Sequence, residues 1–498
     1  MSTQPRSLSN PLRRTLKSAA LTALMASLLV ANAFAQNNPV PQIVGPVHPD
    51  AVAPGGGGFT LSVYGANFVP GAVVNWNYQP RTTTYISGHE VQAQILSTDI
   101  AHNTAGYISV TNPAPGGGSS SASWAQVEVH APISTIAVDS PTFYPFGAWA
   151  LATADFTHSG ILDLVGQYFG LSYDRGVGNG TFKAGPIINP AWVQLTPFVY
   201  GDFNNDGNLD VALEIASGTG DQTTCYFCIL THMRVMLGDG KGDFSAGPAI
   251  TENEDMGMAV VTGDFNRDGN LDLMTHGGNI LSEFLGNGDG SFRQPTNYPY
   301  GLLARAMQVG DFNGDGKLDL VMVGPALLGE AFTIWIMEGN GDGTFQHPRE
   351  ILSLDHTNGC GAILQQDIQV SDFNGDGKLD LAFCSKKGIG IMLGNGDGTF
   401  QPPIYYVIDS TDLGLFTFAV GDINSDGKQD LIVSEYTDFN HPRLAIFLGN
   451  GDGTFQPPQT LSETPQAGLG IAAGDFNSDG LLDLIFLSDG GMNVFLQQ

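Results

Sequence analysis

The stretch Val370-Ser-Asp-Phe-Asn-Gly-Asp-Gly-Lys-Leu-Asp-Leu-Ala-Phe383 sets a nine-residue loop, D-x-N-x-D-G-x-x-D, between two apolar runs. Six copies occur. Positions 1, 3, 5, 7 and 9 are Asp202, Asn204, Asp206, Asn208 and Asp210 in the first full copy, then Asp264, Asn266, Asp268, Asn270 and Asp272. They are Asp311, Asn313, Asp315, Lys317 and Asp319 in the third, and Asp372, Asn374, Asp376, Lys378 and Asp380 in the fourth. The last two carry Asp422, Asn424, Asp426, Lys428 and Asp430, and Asp475, Asn477, Asp479, Leu481 and Asp483. A worn seventh copy starts at Asp155, with Thr157 and Ser159 where Asn and Asp are expected.

Ca²⁺ takes six to eight oxygen ligands in forgiving geometry. Side chains at positions 1, 3 and 5 supply such oxygens. Gly at position 6 permits the backbone turn that aims the position-7 carbonyl inward. Position 9 adds a carboxylate, expected to be bidentate. Three carboxylates this close repel one another without a cation. About six Ca²⁺ ions are therefore expected, with the loop at Asp155 weak or empty because only Asp155 and Asp163 are anionic there. An EF-hand needs Glu at position 12, where this chain has Leu213, Thr275, Met322, Phe383, Val433 and Phe486.

Loop starts at 155, 202, 264, 311, 372, 422 and 475 give a period of 47 to 62 residues. Such a period, with several strand-like runs per unit, reads as propeller blades. One run enters the loop (Ala419-Val-Gly-Asp422), a second leaves it (Leu318-Asp-Leu-Val-Met-Val323), and a third ends in Gly-Asn-Gly-Asp-Gly-Thr-Phe (Gly394 to Phe400). A fourth follows that Phe. Ile133-Ser-Thr-Ile-Ala-Val138 is expected to supply the strand missing after Val494-Phe-Leu-Gln-Gln498, which removes two open sheet edges. In the Gly394 to Phe400 motif, Asn-Gly and Asp-Gly suit a hairpin turn, and a second metal site is the weaker reading. These repeats resemble the FG-GAP/VCBS family, which includes the integrin α-chain propeller. The resemblance implies a calcium-bound propeller and leaves the ligand open.

Residues 40–131 lack the loop. Phe59-Thr-Leu-Ser-Val-Tyr64 and Tyr107-Ile-Ser-Val-Thr111 stand among Gly/Pro/Asn turns, the spacing of a small β-sandwich. Gly55 to Phe68, Val74-Asn-Trp-Asn77 and Val110 to Gly117 resemble the immunoglobulin-like IPT/TIG domains. The expected fold is all-β: a signal peptide over 1–35, an Ig-like β-sandwich over 36–131 and a seven-bladed β-propeller over 132–498.

The signal reading rests on Arg6, Arg13, Arg14 and Lys17 before the apolar Ala19 to Val30, with Ala33-Phe34-Ala35 as cleavage site. That apolar core is too short to span a bilayer comfortably. The mature chain is expected to be secreted, periplasmic or at the cell surface, with no membrane insertion. With 49 acidic against 19 basic residues it repels nucleic acid. Four cysteines suit an oxidising compartment. Cys225-Tyr-Phe-Cys228 reads as a small disulfide clip, since no second C-x-x-C completes a zinc site. Topology brings Cys360 and Cys384 to one face, where they are expected to pair.

Loops joining the second to the third strand, and blade to blade, lie on the face away from the metal loops. The long insertions fall there, with Tyr226, Phe227, His356, Tyr436, Phe439 and His441, and with Trp149 and Trp192 near the blade junctions. Aromatics on rigidly held loops suit a carbohydrate or protein ligand, and the integrin likeness implies the same face. Each one could equally plug a blade interface. No H-E-x-x-H, G-x-S-x-G or nucleotide loop occurs. The expected function is exported recognition or adhesion. The alternatives are a polysaccharide lyase or hydrolase, whose carboxylate pair would hide among the acids, and a structural matrix component.

Overall fold

Leu61 and Val63 point inward from Phe59–Ala66 while Thr60, Ser62 and Tyr64 stay nearer solvent, the alternation of a half-buried strand. Their antiparallel partners across the ladder are Ala93 and Val91, buried in turn. The structure, a computed structural model, describes residues 37–498 except 45–46, 121–124, 135, 146–149, 168–170, 190–197, 218–229, 251–258, 278–279, 302–303, 326–331, 354–367, 386, 408–415, 437–441, 462–469 and 489–490. The expected signal segment, residues 1–35, lies outside the described residues. Among those described, every regular element is a strand.

Two sheets build the N-terminal sandwich. One runs Gln42–Ile43, Phe59–Ala66, Glu90–Ile95, Thr82–Ser87; the other runs Ala51–Val52, Gln126–Val129, Thr104–Asn112, Val73–Trp76, Gln79–Pro80, with Gly118–Ser119 beside Thr104–Asn112. They close on one core in which Leu61, Val91 and Ala93 meet Val74, Trp76, Ile108 and Val127.

The remaining described strands form seven four-stranded antiparallel sheets. Ala306–Gly310, Asp319–Pro325, Phe332–Met337 and Arg349–Ser353 make one, neighbours in sequence being neighbours in space. Asp319–Pro325 and Asp380–Ser385 are buried along their whole length, because each sheet is covered on both faces by the next. That explains why the second run of each repeat is apolar without alternation. Inner strands neighbour one another from Val199–Gly201 round to Ile471–Gly474, which in turn lies against Ala150–Ala154. Phe156, Leu171 and Tyr173 pack with Phe198, Val211 and Leu213 to join the first sheet to the second, and the ring is closed.

The closing strand differs from expectation. Thr142–Tyr144, not Ile133 to Val138, pairs with Gly491–Phe495 to complete the last sheet, and Val138 makes only an isolated bridge to Gln497. The apolarity of the earlier run serves packing instead: Ile136 is buried with Ile423, Leu448 and Phe495.

Candidate metal centres

Each loop is held by its own backbone. At Asp202, Oδ1 accepts the N–H of Asp206 at 3.0 Å and Oδ2 that of Gly207 at 2.8 Å. Asn204 Oδ1 accepts the N–H of Asp206 at 3.0 Å, and Asp206 Oδ1 that of Asn208 at 2.9 Å. The curl needs two left-handed residues. Gly207 at position 6 has φ +88°, as the sequence pattern requires, and Asn205 at position 4 has φ +58°. Position 4 repeats this at Arg267, Gly314, Gly375, Ser425 and Ser478. Sequence reading missed it, although Gly or Asn in three of the six copies was the signal.

The position-9 carboxylate also accepts backbone bonds that the sequence pattern does not announce. Asp210 Oδ2 accepts the N–H of Phe203 at 2.9 Å, and Oδ1 accepts that of Gly238, at the end of the third strand, at 2.8 Å. Both bonds recur at Asp272, Asp319, Asp380, Asp430 and Asp483. This group pins the loop into its sheet, and only its remaining lone pairs would be open to a cation. Among the described residues no three His, Cys, Asp or Glu side chains converge as a finished cage. Two of the five expected ligands per loop are an amide oxygen and a backbone carbonyl. The donor set is nevertheless all oxygen, and Asp426 Oδ1 is buried with no hydrogen-bond partner, which suits a hard cation.

Burial pushes Asp210 and Asp380 up to about 7, and Asp319 and Asp483 up to about 8, with repulsion from neighbouring loop aspartates adding to the rise. Asp202, Asp311 and Asp422 move the same way, burial first. Burial also opposes charge at Asp372, but the His48 hydrogen bond and several backbone N–H groups bring its carboxyl below the usual range. At position 7, Lys317, Lys378 and Lys428 fold back onto the position-5 carboxylates at 2.7, 3.2 and 3.1 Å. These pairs are partly exposed and contribute little.

In the worn loop Asp155 keeps its backbone bonds, to Ser159 N at 2.9 Å and Gly160 N at 2.6 Å. The Thr157 hydroxyl donates to Asp163 Oδ2 at 3.2 Å. In the six full loops that oxygen accepts the position-2 backbone N–H instead.

The companion motif is a hairpin. Gly394 bridges Phe400, and Asp397 Oδ1 accepts both N–H and Oγ1–H of Thr399. Its Gly398 N–H reaches the preceding sheet and donates to Phe312 O at 2.9 Å; the rings of Phe400 and Phe312 lie 6.0 Å apart. The same latch joins Gly453 to Phe373, Gly343 to Phe265 and Gly290 to Phe203. Gly180 to Phe476, at 2.9 Å, latches the first sheet onto the last.

The sandwich sits on the metal-loop face. Val40 N–H donates to Asp264 Oδ2 at 2.8 Å, and Asn67 Nδ2 to Asp264 O at 3.0 Å. Asn67 N–H donates to Gly316 O at 3.3 Å, and His48 Nε2 meets Asp372 Oδ2 at 3.2 Å. Tyr78 reaches Asp155, Ser425 reaches Glu128, and Tyr107 donates to Asp475 O at 3.4 Å. The loop at Asp202 stands outside this footprint, with Asn205, Asp206 and Gly207 exposed. Position-6 glycines thereby acquire a second reason. A Cβ on Gly480 would stand 2.8 Å from Thr104 O and 2.9 Å from Val129 O, and one on Gly269 would stand 2.6 Å from Asn38 O.

The ligand residues Tyr226, Phe227, His356, Phe439, His441, Trp149 and Trp192, expected from the sequence on the far face, lie outside the described residues, as do Cys225, Cys228 and Cys360. Tyr436 ends the strand Asp430–Tyr436, opposite Pro442. Cys384 is disulfide-bonded.

Residues 274–322, 372–433 and 435–486 match the FG-GAP-like repeat. No curated protein matches the chain. Among solved structures it is similar to an Agrocybe aegerita lectin described for specific recognition of non-reducing terminal N-acetylglucosamine, at 18% identity over 77% of this chain and 94% of that one, TM-score 0.43. It is similar to BBS1N, solved in complex with ARL6DN, at 12% identity over 72% and 96%, TM-score 0.46. An auxiliary nutrient binding protein from Bacteroides ovatus matches at 10% identity over 92% and 98%, TM-score 0.33. The closed ring of latched four-stranded sheets is a β-propeller, and FG-GAP-like repeats are found within it.

Proposed function

We propose that this is an exported, calcium-bound recognition protein whose propeller takes a carbohydrate or protein ligand on the face away from the metal loops. The observation that carries the reading is the docked sandwich. It covers the loop face at Asp155, Asp264, Asp372 and Asp475, which leaves the opposite face for a ligand.

Ca²⁺ would be held by the side chains at positions 1, 3 and 5, the position-7 carbonyl and the remaining lone pairs of position 9. It would neutralise carboxylates that burial and mutual repulsion disfavour as anions. Because the folded chain would bind the ions and the unfolded chain would not, they would raise stability. Export is supported by the N-terminal signal pattern and by the disulfide at Cys384.

Native affinity electrophoresis of the mature chain through polysaccharide gels, with Ca²⁺ present, tests the ligand. Retardation in an intact gel supports carbohydrate recognition. A cleared zone makes the protein a polysaccharide-degrading enzyme and overturns the reading. Unretarded migration in every gel directs the search to protein ligands.

A further inference from the structure

In five of the six loops the position-5 carboxylate spends Oδ1 on the position-7 N–H: Asp206, Asp268, Asp315, Asp376 and Asp479 accept from Asn208, Asn270, Lys317, Lys378 and Leu481 at 2.9 to 3.1 Å. The loop at Asp422 breaks the pattern. Asp426 Oδ1 is buried with no partner, while Oδ2 accepts Lys428 Nζ at 3.1 Å. This is also the loop to which the sandwich brings two acids. Asp50 is 5% exposed, and its Oδ1 is likewise buried without a partner. Gln429 Nε2 donates to Asp50 Oδ2 at 2.6 Å, which fixes the carboxylate over the loop. Asp50 Oδ1 lies 3.6 Å from where a Cβ on Gly427 would stand. Glu128 adds a further carboxylate, accepting Ser425 Oγ–H at 2.6 Å.

Two buried acceptor oxygens from different parts of the chain thus stand at one loop with no donor for either, Asp50 Oδ1 against Gly427 and Asp426 Oδ1 on the residue before it. Unpaired buried carboxylate oxygens are costly, and a hard cation is the group that satisfies both at once. We propose that one divalent cation is held between Asp50 Oδ1 of the sandwich and Asp426 Oδ1 of the propeller, completing the loop Asp422 to Asp430 from outside the repeat. The ion ties the sandwich to the propeller. The inference rests on the calcium reading of the loops, and its test separates the two.

Ca²⁺ is titrated calorimetrically into the chelated full-length mature chain and into Asp50→Asn, Asp426→Asn and Asp206→Asn, each first checked for native near-ultraviolet dichroism. Asp50→Ser replaces Asp50→Asn if the latter misfolds. Asp50→Asn and Asp426→Asn should each lose the same single site, or weaken it at least about ten-fold, and their double variant should lose no more. Asp206→Asn should lose a different site, additively with Asp50→Asn. If Asp50→Asn keeps the wild-type stoichiometry and affinities while Asp426→Asn loses one ion, the loop binds its cation unaided and the proposal fails, with the calcium reading intact. A wild-type chain that takes up no Ca²⁺ overturns both.

Discussion

The hydroxyl of Tyr78, from a sandwich turn, donates to Oδ2 of Asp155 at 2.9 Å, the first aspartate of the worn propeller loop. Burial and the adjacent carboxylate push the phenol upward, so it remains a donor at any physiological pH. A sandwich hydroxyl and the Thr157 hydroxyl thus serve the two carboxylates of the worn loop. Tyr78→Phe should cost about 1 kcal/mol of stability and leave the number of bound Ca²⁺ ions unchanged. Denaturant titration and ion counting check both; loss of an ion would mean the worn loop is a working site.

Removal of metal should uncover a pH dependence of stability. Asp210, Asp319, Asp380 and Asp483 titrate at about 7 to 8 when folded, against an ordinary value of 3.8. A raised folded value means the fold prefers the protonated form. Stability is then full below about pH 4 as far as these groups are concerned, is lost progressively up to about pH 8, and stays lost above it. In chelator, Tm should fall by several degrees between pH 5 and pH 8. With millimolar Ca²⁺ the fall should vanish, since the ion favours the ionised form. Equal slopes with and without Ca²⁺ would show that no ion reaches these groups.

Position 6 offers a comparison between two glycines of nearly equal φ, +88° at Gly207 and +89° at Gly480. Around Gly207 a Cβ meets nothing within 4 Å, whereas at Gly480 it collides with the sandwich backbone. Gly207→Ala should cost only the left-handed penalty, about 1 to 2 kcal/mol. Gly480→Ala should add an overpacking cost of about 1 to 3 kcal/mol and loosen the sandwich. Thermal melts joined to limited proteolysis near residues 130–141 read both effects.

Blades and loops were legible because the information is local and repeated. Asp, Asn, Asp, Gly and Asp at fixed spacing dictate one curl, and an apolar run on each side dictates the strands that flank it. Docking of the sandwich onto the loop face was not legible. It is carried by single residues scattered over loops and one strand, Val40, His48, Asn67, Tyr78 and Tyr107, whose partners stand 77 to 368 positions away. The closing strand was misplaced for a related reason. An apolar run such as Ile133 to Val138 reads alike whether it pairs in a ladder or packs against Ile423 and Phe495. Position 9 was read as a metal ligand, and spacing alone does not show that its carboxylate accepts two backbone N–H groups.

The two acidic motifs of a repeat should respond oppositely to substitution. Asp397 is fully exposed, and its Thr399 hydrogen bonds hold it below the ordinary carboxylate range. It braces the hairpin that latches Gly398 to Phe312. Asp380 is buried, raised, and bonded to Phe373 N and Gly394 N. Asp397→Asn keeps an acceptor oxygen for Thr399, so Tm and calcium stoichiometry should both stay at wild-type values. Asp380→Asn puts an amide NH₂ where one of the two acceptors stood, against a backbone N–H that then loses its partner. Such a buried mismatch costs about 1 to 3 kcal/mol, and the loop at Asp372 should lose its ion. Counting ions and melting the two variants side by side decides the assignment; an ion lost from Asp397→Asn would make the hairpin a second metal site.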